Sequence, residues 1–189
     1  MKNSIVGGKE QIKLDLDYEP NNLTSLEEAI PTADYNPWKD TKVHEDAVEP
    51  IEELVDYIQV QGYTPYITSG YRSSVEQAAI HKSNPNESAS AGGSQHQTGL
   101  AFDMHYLIDN ETGEMIQLDE SEIYDDVIEK AASIGIAHPL DWDYPHFFVA
   151  EAVAPEITSY LNEQVLSEET YYDDLNDYLS YLWELCQPK

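Results

Sequence analysis

The chain has 189 residues, of which 24% are charged, and a formal net charge of -28 at pH 7. This length fits one domain with a core of ordinary size plus flanking segments. So acidic a surface opposes binding to nucleic acid phosphates and to anionic membranes, and we expect no nucleic acid partner. The sequence has no run of eighteen apolar residues, and its N-terminus lacks a basic stretch followed by an apolar one. We therefore expect no membrane insertion and no signal peptide within this chain.

The acidic composition itself has two explanations. A DNA-mimicking inhibitor would use the charge directly, whereas a soluble surface would need it only for solubility. Solubility is the simpler explanation, because net charge bears on solubility more directly than on mechanism.

The first half of the chain predicts an extended arm followed by a helix and a strand. Residues 1–45 have scattered apolar positions without a sustained period, which indicates an N-terminal arm with short turns. From Val48 the apolar residues recur at helical spacing, and Gly62 stands where a C-terminal cap is expected. Residues 63–68 are aromatic and branched, which favours a strand. The helical apolar positions are Ile51, Leu54, Val55 and Ile58.

Arg72 is the only arginine of the chain, and it lies between this strand and a helix predicted over 74–82. A guanidinium at such a corner can hold a carboxylate or stabilise an oxyanion through its forked donors, although a surface salt bridge is the simpler alternative. The polar loop 83–93 follows and is predicted to cross the mouth of a neighbouring site as a lid.

The centre of the chain carries the residues of a metal site. Two imidazoles and a carboxylate, from His96, Asp103 and His146, are the ligand set of a catalytic zinc site that keeps one position open. Singly, each is better explained as a hydrogen-bonded or capping residue, and His105 is the nearest competing ligand. Because Cys186 is the only cysteine, a cysteine cluster is excluded.

From Gly99 onwards, apolar residues alternate with small or polar ones, which predicts a strand with one apolar face and one small or polar face. The apolar set is Leu100, Phe102 and Met104. A turn is predicted over 109–113, a helix over 122–133 and a short strand over 146–149.

These residues resemble the zinc D-Ala-D-Ala carboxypeptidase and L-Ala-D-Glu endopeptidase family, which includes VanY-like enzymes and is related in fold to the hedgehog signalling domain. The resemblance covers residues 46–150. The S-x-H-x-x-G-x-A-x-D motif corresponds to residues 94–103, and the S-x-Y-R-S motif to residues 69–73. The segment 143–147 reads Asp-Tyr-Pro-His-Phe, which is closer to the endopeptidase branch than to the Glu-Pro-Trp-His of VanY.

The resemblance implies an α+β fold in which a small antiparallel sheet carries the zinc site and is flanked by helices. It implies zinc bound by His96, Asp103 and His146, and hydrolysis of peptidoglycan stem peptides at the bacterial cell wall. Asp143 stands where the family has its acid, and is our expected general base, with Asp141 as the alternative. The expected substrate contacts are Tyr71, Ser94 and Gln77.

The remaining expectation concerns domain organisation. We predict an N-terminal arm over 1–45, a catalytic domain over 46–150 and an acidic helical segment over 151–189. The last segment has an apolar stripe at helical spacing between Leu175 and Cys186, which either docks on its own domain or binds a protein partner. The alternative to an enzyme is a non-catalytic acidic binding or inhibitor protein that retains the peptidase fold.

Overall fold

The computed structural model describes residues 4–6, 9–11, 19–29, 41–85, 88–109, 115–117, 124–138 and 143–149. Asp141 and the predicted C-terminal helix lie outside these ranges. No helix within them is long and apolar enough to cross a membrane.

The N-terminal part forms two small antiparallel hairpins. Strands β1 (Ser4–Val6) and β2 (Lys9–Gln11) pair with each other. Strand β3 (Leu23–Ser25) leads into the one-turn helix α1 (Leu26–Ala29), and β3 pairs with β4 (Lys42–His44). Leu26 and Val43 are fully buried in the main core. The pair of strands β3 and β4 therefore contributes side chains to the main core.

Helix α2 (Val48–Val60) confirms the helix predicted from the spacing of apolar residues after Val48. It follows a single 3-10 turn at Glu45–Ala47. Its predicted apolar positions are buried in the core against the sheet, and the backbone N–H of Gly62 donates to the carbonyl of Gln59 at 2.9 Å. The φ angle of Gly62 is +90°, a left-handed conformation that glycine adopts without the strain of a side chain.

The central sheet is antiparallel in each pairing between its described strands and is flanked by helices, which confirms the α+β prediction. Its strands are β5 (Thr64–Ser69), β6 (Ala101–Asp109), β7 (Met115–Gln117), β8 (Ile136–Ala137) and β9 (His146–Val149). They run in the order β5-β6-β9-β8, and β7 pairs with the last residues of β6. Helix α3 (Ser74–Ser83) follows β5, and helix α4 (Tyr124–Ser133) precedes β8.

The register of this sheet brings distant residues into one row. Asp103 on β6 pairs with Ser69 on β5 across a bulge, and with His146 on β9 on its other side. Phe102 and Met104 point into the core, while Asp103 remains partly exposed on the opposite face. The predicted alternation is thereby confirmed, and it places a carboxylate beside a histidine that is 43 residues away in sequence.

Candidate metal centre

Three side chains converge on one point beside strand β6 of this sheet. His96 Nε2, Asp103 Oδ1 and His146 Nδ1 form a triangle in which each pair of atoms is 3.2 Å apart. Among the residues that the structure describes, this is the group of histidine and carboxylate side chains that could hold a metal ion. The structure thus brings together the three predicted ligands.

The outer nitrogen of each imidazole faces a carbonyl oxygen. His96 Nδ1 lies 2.8 Å from the carbonyl of Gly70, and His146 Nε2 lies 2.6 Å from the side-chain oxygen of Gln95. A carbonyl oxygen only accepts, so these contacts favour a proton on the outer nitrogen of each ring. Both inner nitrogens then present lone pairs towards Asp103.

The protonation states of His96 and Asp103 suit a group of metal ligands. Burial lowers the pKa of His96, with only partial compensation from the neighbouring Asp103 carboxylate, so its imidazole stays neutral. Burial alone would raise the pKa of Asp103, but the neighbouring His96 and His146 hold it well below its usual range, so its side chain is a carboxylate. The result is one carboxylate and a neutral imidazole aimed at the same point.

These residues fit a zinc ion. Ligand atoms at Zn–N and Zn–O distances of about 2.0–2.2 Å are roughly 3.3 Å apart in a tetrahedron, close to the observed 3.2 Å. A cation bound between these three acceptor atoms would also offset their mutual repulsion. Zinc accepts this donor set of two nitrogens and one oxygen.

A short 3-10 helix (Gln95–Thr98) holds His96 in place. It ends at Gly99, whose φ of +76° is left-handed, and a Cβ there would lie 3.0 Å from both the backbone nitrogen of His44 and Cδ2 of Leu23. The hydroxyl of Thr98 donates to the carbonyl of Gln95 at 2.7 Å and accepts from the N–H of Leu100 at 3.1 Å. The tight turn before β6 therefore depends on a glycine and on a hydroxyl.

Gly70 is the second glycine that the site requires. A Cβ at this residue would lie 2.3 Å from the carbonyl oxygen of Lys42 and 2.8 Å from Cγ2 of Thr41. The close approach lets strand β4 cover Gly70, and the N–H of Tyr71 donates to the same Lys42 carbonyl at 2.6 Å. The N-terminal hairpin thereby fixes the carbonyl that orients His96.

Arg72 is directed at the same carboxylate. Its Nη2 donates to Asp103 Oδ2, and its Nε donates to Ser69 Oγ at 2.7 Å. The backbone N–H of Arg72 also donates to the carbonyl of His96 at 3.2 Å. The guanidinium therefore holds one oxygen of Asp103 while the other oxygen faces the histidines.

Gln77 connects Arg72 to the predicted lid. It is 1% exposed, its Oε1 lies 3.5 Å from Arg72 Nη1, and its Nε2 donates to the carbonyl of Ala89 at 2.7 Å. His81 Nδ1 lies 2.7 Å from the carbonyl of Ser88, so helix α3 anchors this loop at two points. A substrate contact through Gln77, which stays a prediction, would have to compete with these bonds.

Asp143 lies beside the group, on the turn that leads into β9. Burial raises the pKa of its carboxyl group, and the nearby Asp103 raises it further, while His146 and Arg72 act in the opposite direction. The carbonyl of Asp143 accepts from the N–H of His146 at 3.0 Å and lies 3.1 Å from His138 Nε2. The turn therefore presents a carboxyl group with a raised pKa next to the metal ligands.

The other predicted residues, Tyr71, Ser94 and His105, are not among the three converging side chains. Tyr71 is partly buried, and burial together with Glu19 and Glu76 raises the pKa of its hydroxyl. Ser94 is 5% exposed and precedes the 3-10 helix without a side-chain cap bond. His105 lies 3.2 Å from Gln117 through Nδ1, and is not in the convergent group.

Sequence reasoning missed the residues that orient the ligands. Gln95 contacts the predicted ligand His146. Ser69 accepts a hydrogen bond from Arg72, and His138 contacts the carbonyl of Asp143. The signal available for Gln95 was only its position next to a predicted ligand, since its partner His146 is 51 residues away.

Residues 40–145, more than half of the chain, match the family model of VanY, D-alanyl-D-alanine carboxypeptidase. The chain belongs to the VanY family. This confirms the resemblance drawn from its motifs, and no curated protein sequence gives a significant match.

Solved structures share the fold of this VanY-family chain. The LD-carboxypeptidase LdcB, whose structure is described as revealing the molecular basis of peptidoglycan recognition, has a TM-score of 0.60 and 19% identity, over 92% of this chain and 94% of LdcB. A mutant of the vancomycin resistance D,D-pentapeptidase VanY, in complex with Zn(II), has a TM-score of 0.57 and 18% identity, over 84% and 93%. VanYB in complex with D-alanine-D-alanine has a TM-score of 0.55 and 19% identity, over 79% and 92%.

Proposed function

We propose that this VanY-family peptidase hydrolyses peptide bonds of peptidoglycan stem peptides in a zinc-dependent reaction. The observation that carries the proposal is the triangle of acceptor atoms from His96, Asp103 and His146, with 3.2 Å sides. The zinc-bound VanY mutant and the D-alanine-D-alanine complex of VanYB support the metal and the substrate class by analogy of fold.

Zinc held by these three residues would polarise the scissile carbonyl and lower the pKa of a water molecule towards ~7. The protein must also move a proton. Asp143 is our proposed general base, because its raised pKa brings it closer to the working pH than an exposed aspartate. It would take the proton of the attacking water and deliver it to the leaving amine.

Arg72 is proposed to act in two ways. Its contact with Asp103 Oδ2 keeps the other carboxylate oxygen directed at the histidines. Three of its five N–H donors meet Asp103, Ser69 and Gln77, and the Gln77 contact is at the 3.5 Å limit of a hydrogen bond. The remaining donors are proposed to meet a substrate oxygen, either the developing oxyanion or a terminal carboxylate.

Digestion of defined muropeptides tests this proposal. We expect the zinc-loaded protein to cleave them, chelation to stop cleavage and added zinc to restore it. Mass analysis of the products distinguishes loss of a terminal D-alanine, which indicates a carboxypeptidase, from a cut between L-Ala and D-Glu, which indicates an endopeptidase. If zinc-loaded protein cleaves no stem peptide, the fold serves a binding or inhibitory role instead.

A further inference from the structure

Gln95 is a buried residue that contacts a proposed metal ligand without being one. It opens the 3-10 helix, is 4% exposed, and places Oε1 2.6 Å from Nε2 of His146. The two residues are 51 positions apart in sequence, so the contact joins the His96 segment to strand β9 directly.

This contact bears on which nitrogen of His146 carries the proton. The Gln95 oxygen can only accept, so its position favours the tautomer with the proton on Nε2. Nδ1 is then a lone-pair donor, and it is the atom 3.2 Å from both Asp103 Oδ1 and His96 Nε2. Removing this acceptor would remove the described contact of the outer nitrogen that favours this tautomer and ring orientation.

The amide nitrogen of Gln95 gives a second observation on this side chain. Its Nε2 is buried and has no hydrogen-bond partner within the described part of the chain. A buried amide N–H without a partner is unfavourable, so among its described contacts it is Oε1 that gives the Gln95 side chain a hydrogen bond.

We propose that Gln95 is a positioning residue of the metal site, which holds His146 in the tautomer and orientation that present Nδ1 to zinc. This inference rests on the proposed function, because it requires His146 to be a ligand. Mutation of a residue that is hydrogen-bonded to a ligating histidine commonly weakens metal binding.

Zinc affinity, measured by competition with a chelating indicator, tests the inference independently of activity. Gln95→Met keeps the length of the side chain and removes the acceptor, and we expect zinc to bind roughly 10- to 100-fold more weakly. Gln95→Glu keeps an acceptor and replaces the unpartnered N–H, so it should restore affinity to at least the unmutated value.

Gln97 provides a matched control. It lies in the same 3-10 helix, is fully buried, and its Oε1 accepts from the N–H of Gly92 at 3.0 Å. Gln97→Met therefore also removes a buried amide acceptor, but one that does not contact His146, and we expect a change in zinc affinity of no more than about threefold. Equal weakening by both methionine variants, or failure of Gln95→Glu to restore binding, would overturn the inference.

Two further outcomes separate this inference from the proposed function. If the unmutated protein binds no zinc, both are overturned; if it and Gln95→Met bind zinc equally, only the role of Gln95 is overturned. Should Gln95→Met fail to fold, nitrogen NMR of the metal-free, unmutated chain near neutral pH reads the tautomer of His146 directly. A proton on Nε2 supports the inference, and a proton on Nδ1 contradicts it.

Discussion

Arg72 holds one oxygen of the Asp103 carboxylate while the other oxygen of the same group faces two histidines. The single arginine of the chain is thus bound to a proposed metal ligand. Arg72 follows β5 by three residues, and the sheet register that pairs Ser69 with Asp103 brings it close to that carboxylate.

The first prediction concerns this ion pair. Arg72→Lys keeps the charge but loses the planar fork that reaches Asp103, Ser69 and Gln77 together. We expect zinc to be retained at saturating metal, and turnover of stem peptides to fall by roughly tenfold or more. Steady-state kinetics with parallel metal analysis measures both, and an unmutated rate would show that charge alone is sufficient.

The second prediction concerns the close approach at Gly70. In Gly70→Ala the new methyl group would overlap the carbonyl of Lys42, so strand β4 must shift and the carbonyl that orients His96 must move with it. We expect the free energy of unfolding to fall by about 1–3 kcal/mol and zinc to bind more weakly. Urea unfolding and chelator competition provide the measurements.

Gly93→Ala is the control for that substitution. Among the residues that the structure describes, its Cβ would meet only Ser90 atoms, at 3.4 and 3.6 Å, which are ordinary contact distances. A stability loss at Gly93 as large as that at Gly70 would show that glycine removal in general, and not the Lys42 contact, is responsible.

How much of this structure the sequence predicts depends on how far apart in the sequence the interacting residues are. Helix α2 and strand β6 were predictable because their buried positions repeat with the period of the element. The hairpin of β3 and β4 was not, since strands of three residues are too short to show a period. The ligand triad followed from motif order, whereas the contact of His96 with Gly70 and that of His146 with Gln95 depend on tertiary register.

The third prediction is a pH dependence of stability at His138. Burial lowers the pKa of this residue to about 4, whereas the unfolded chain takes up the proton near ~6.5. The folded state therefore loses stability relative to the unfolded state as pH falls from ~6.5 to about 4, by up to about 1.4 kcal/mol for each pH unit.

His138→Gln isolates this effect, because glutamine retains an N–H for the carbonyl of Asp143 and does not titrate in this range. We expect the difference in unfolding free energy between the unmutated protein and the variant to shift in favour of the variant across this window. Chemical denaturation of the metal-free proteins at several pH values measures it, and parallel profiles would refute the assignment.

The fourth prediction follows from the net charge of -28. Self-repulsion of the acidic chain is screened over a Debye length of ~10 Å at 0.1 M ionic strength. The melting temperature should therefore rise with added monovalent salt at constant zinc. A melting temperature that is unchanged or falls would remove self-repulsion as a significant term in the stability of this protein.

The central claim, that this chain is a zinc peptidase in which Asp143 moves the proton, is tested most directly by the turnover of zinc-loaded Asp143→Asn. The substitution preserves the volume of the side chain and leaves His96, Asp103 and His146 in place. We predict full zinc content and a fall in stem-peptide cleavage by roughly two orders of magnitude or more. Cleavage at the unmutated rate with zinc bound would contradict the claim.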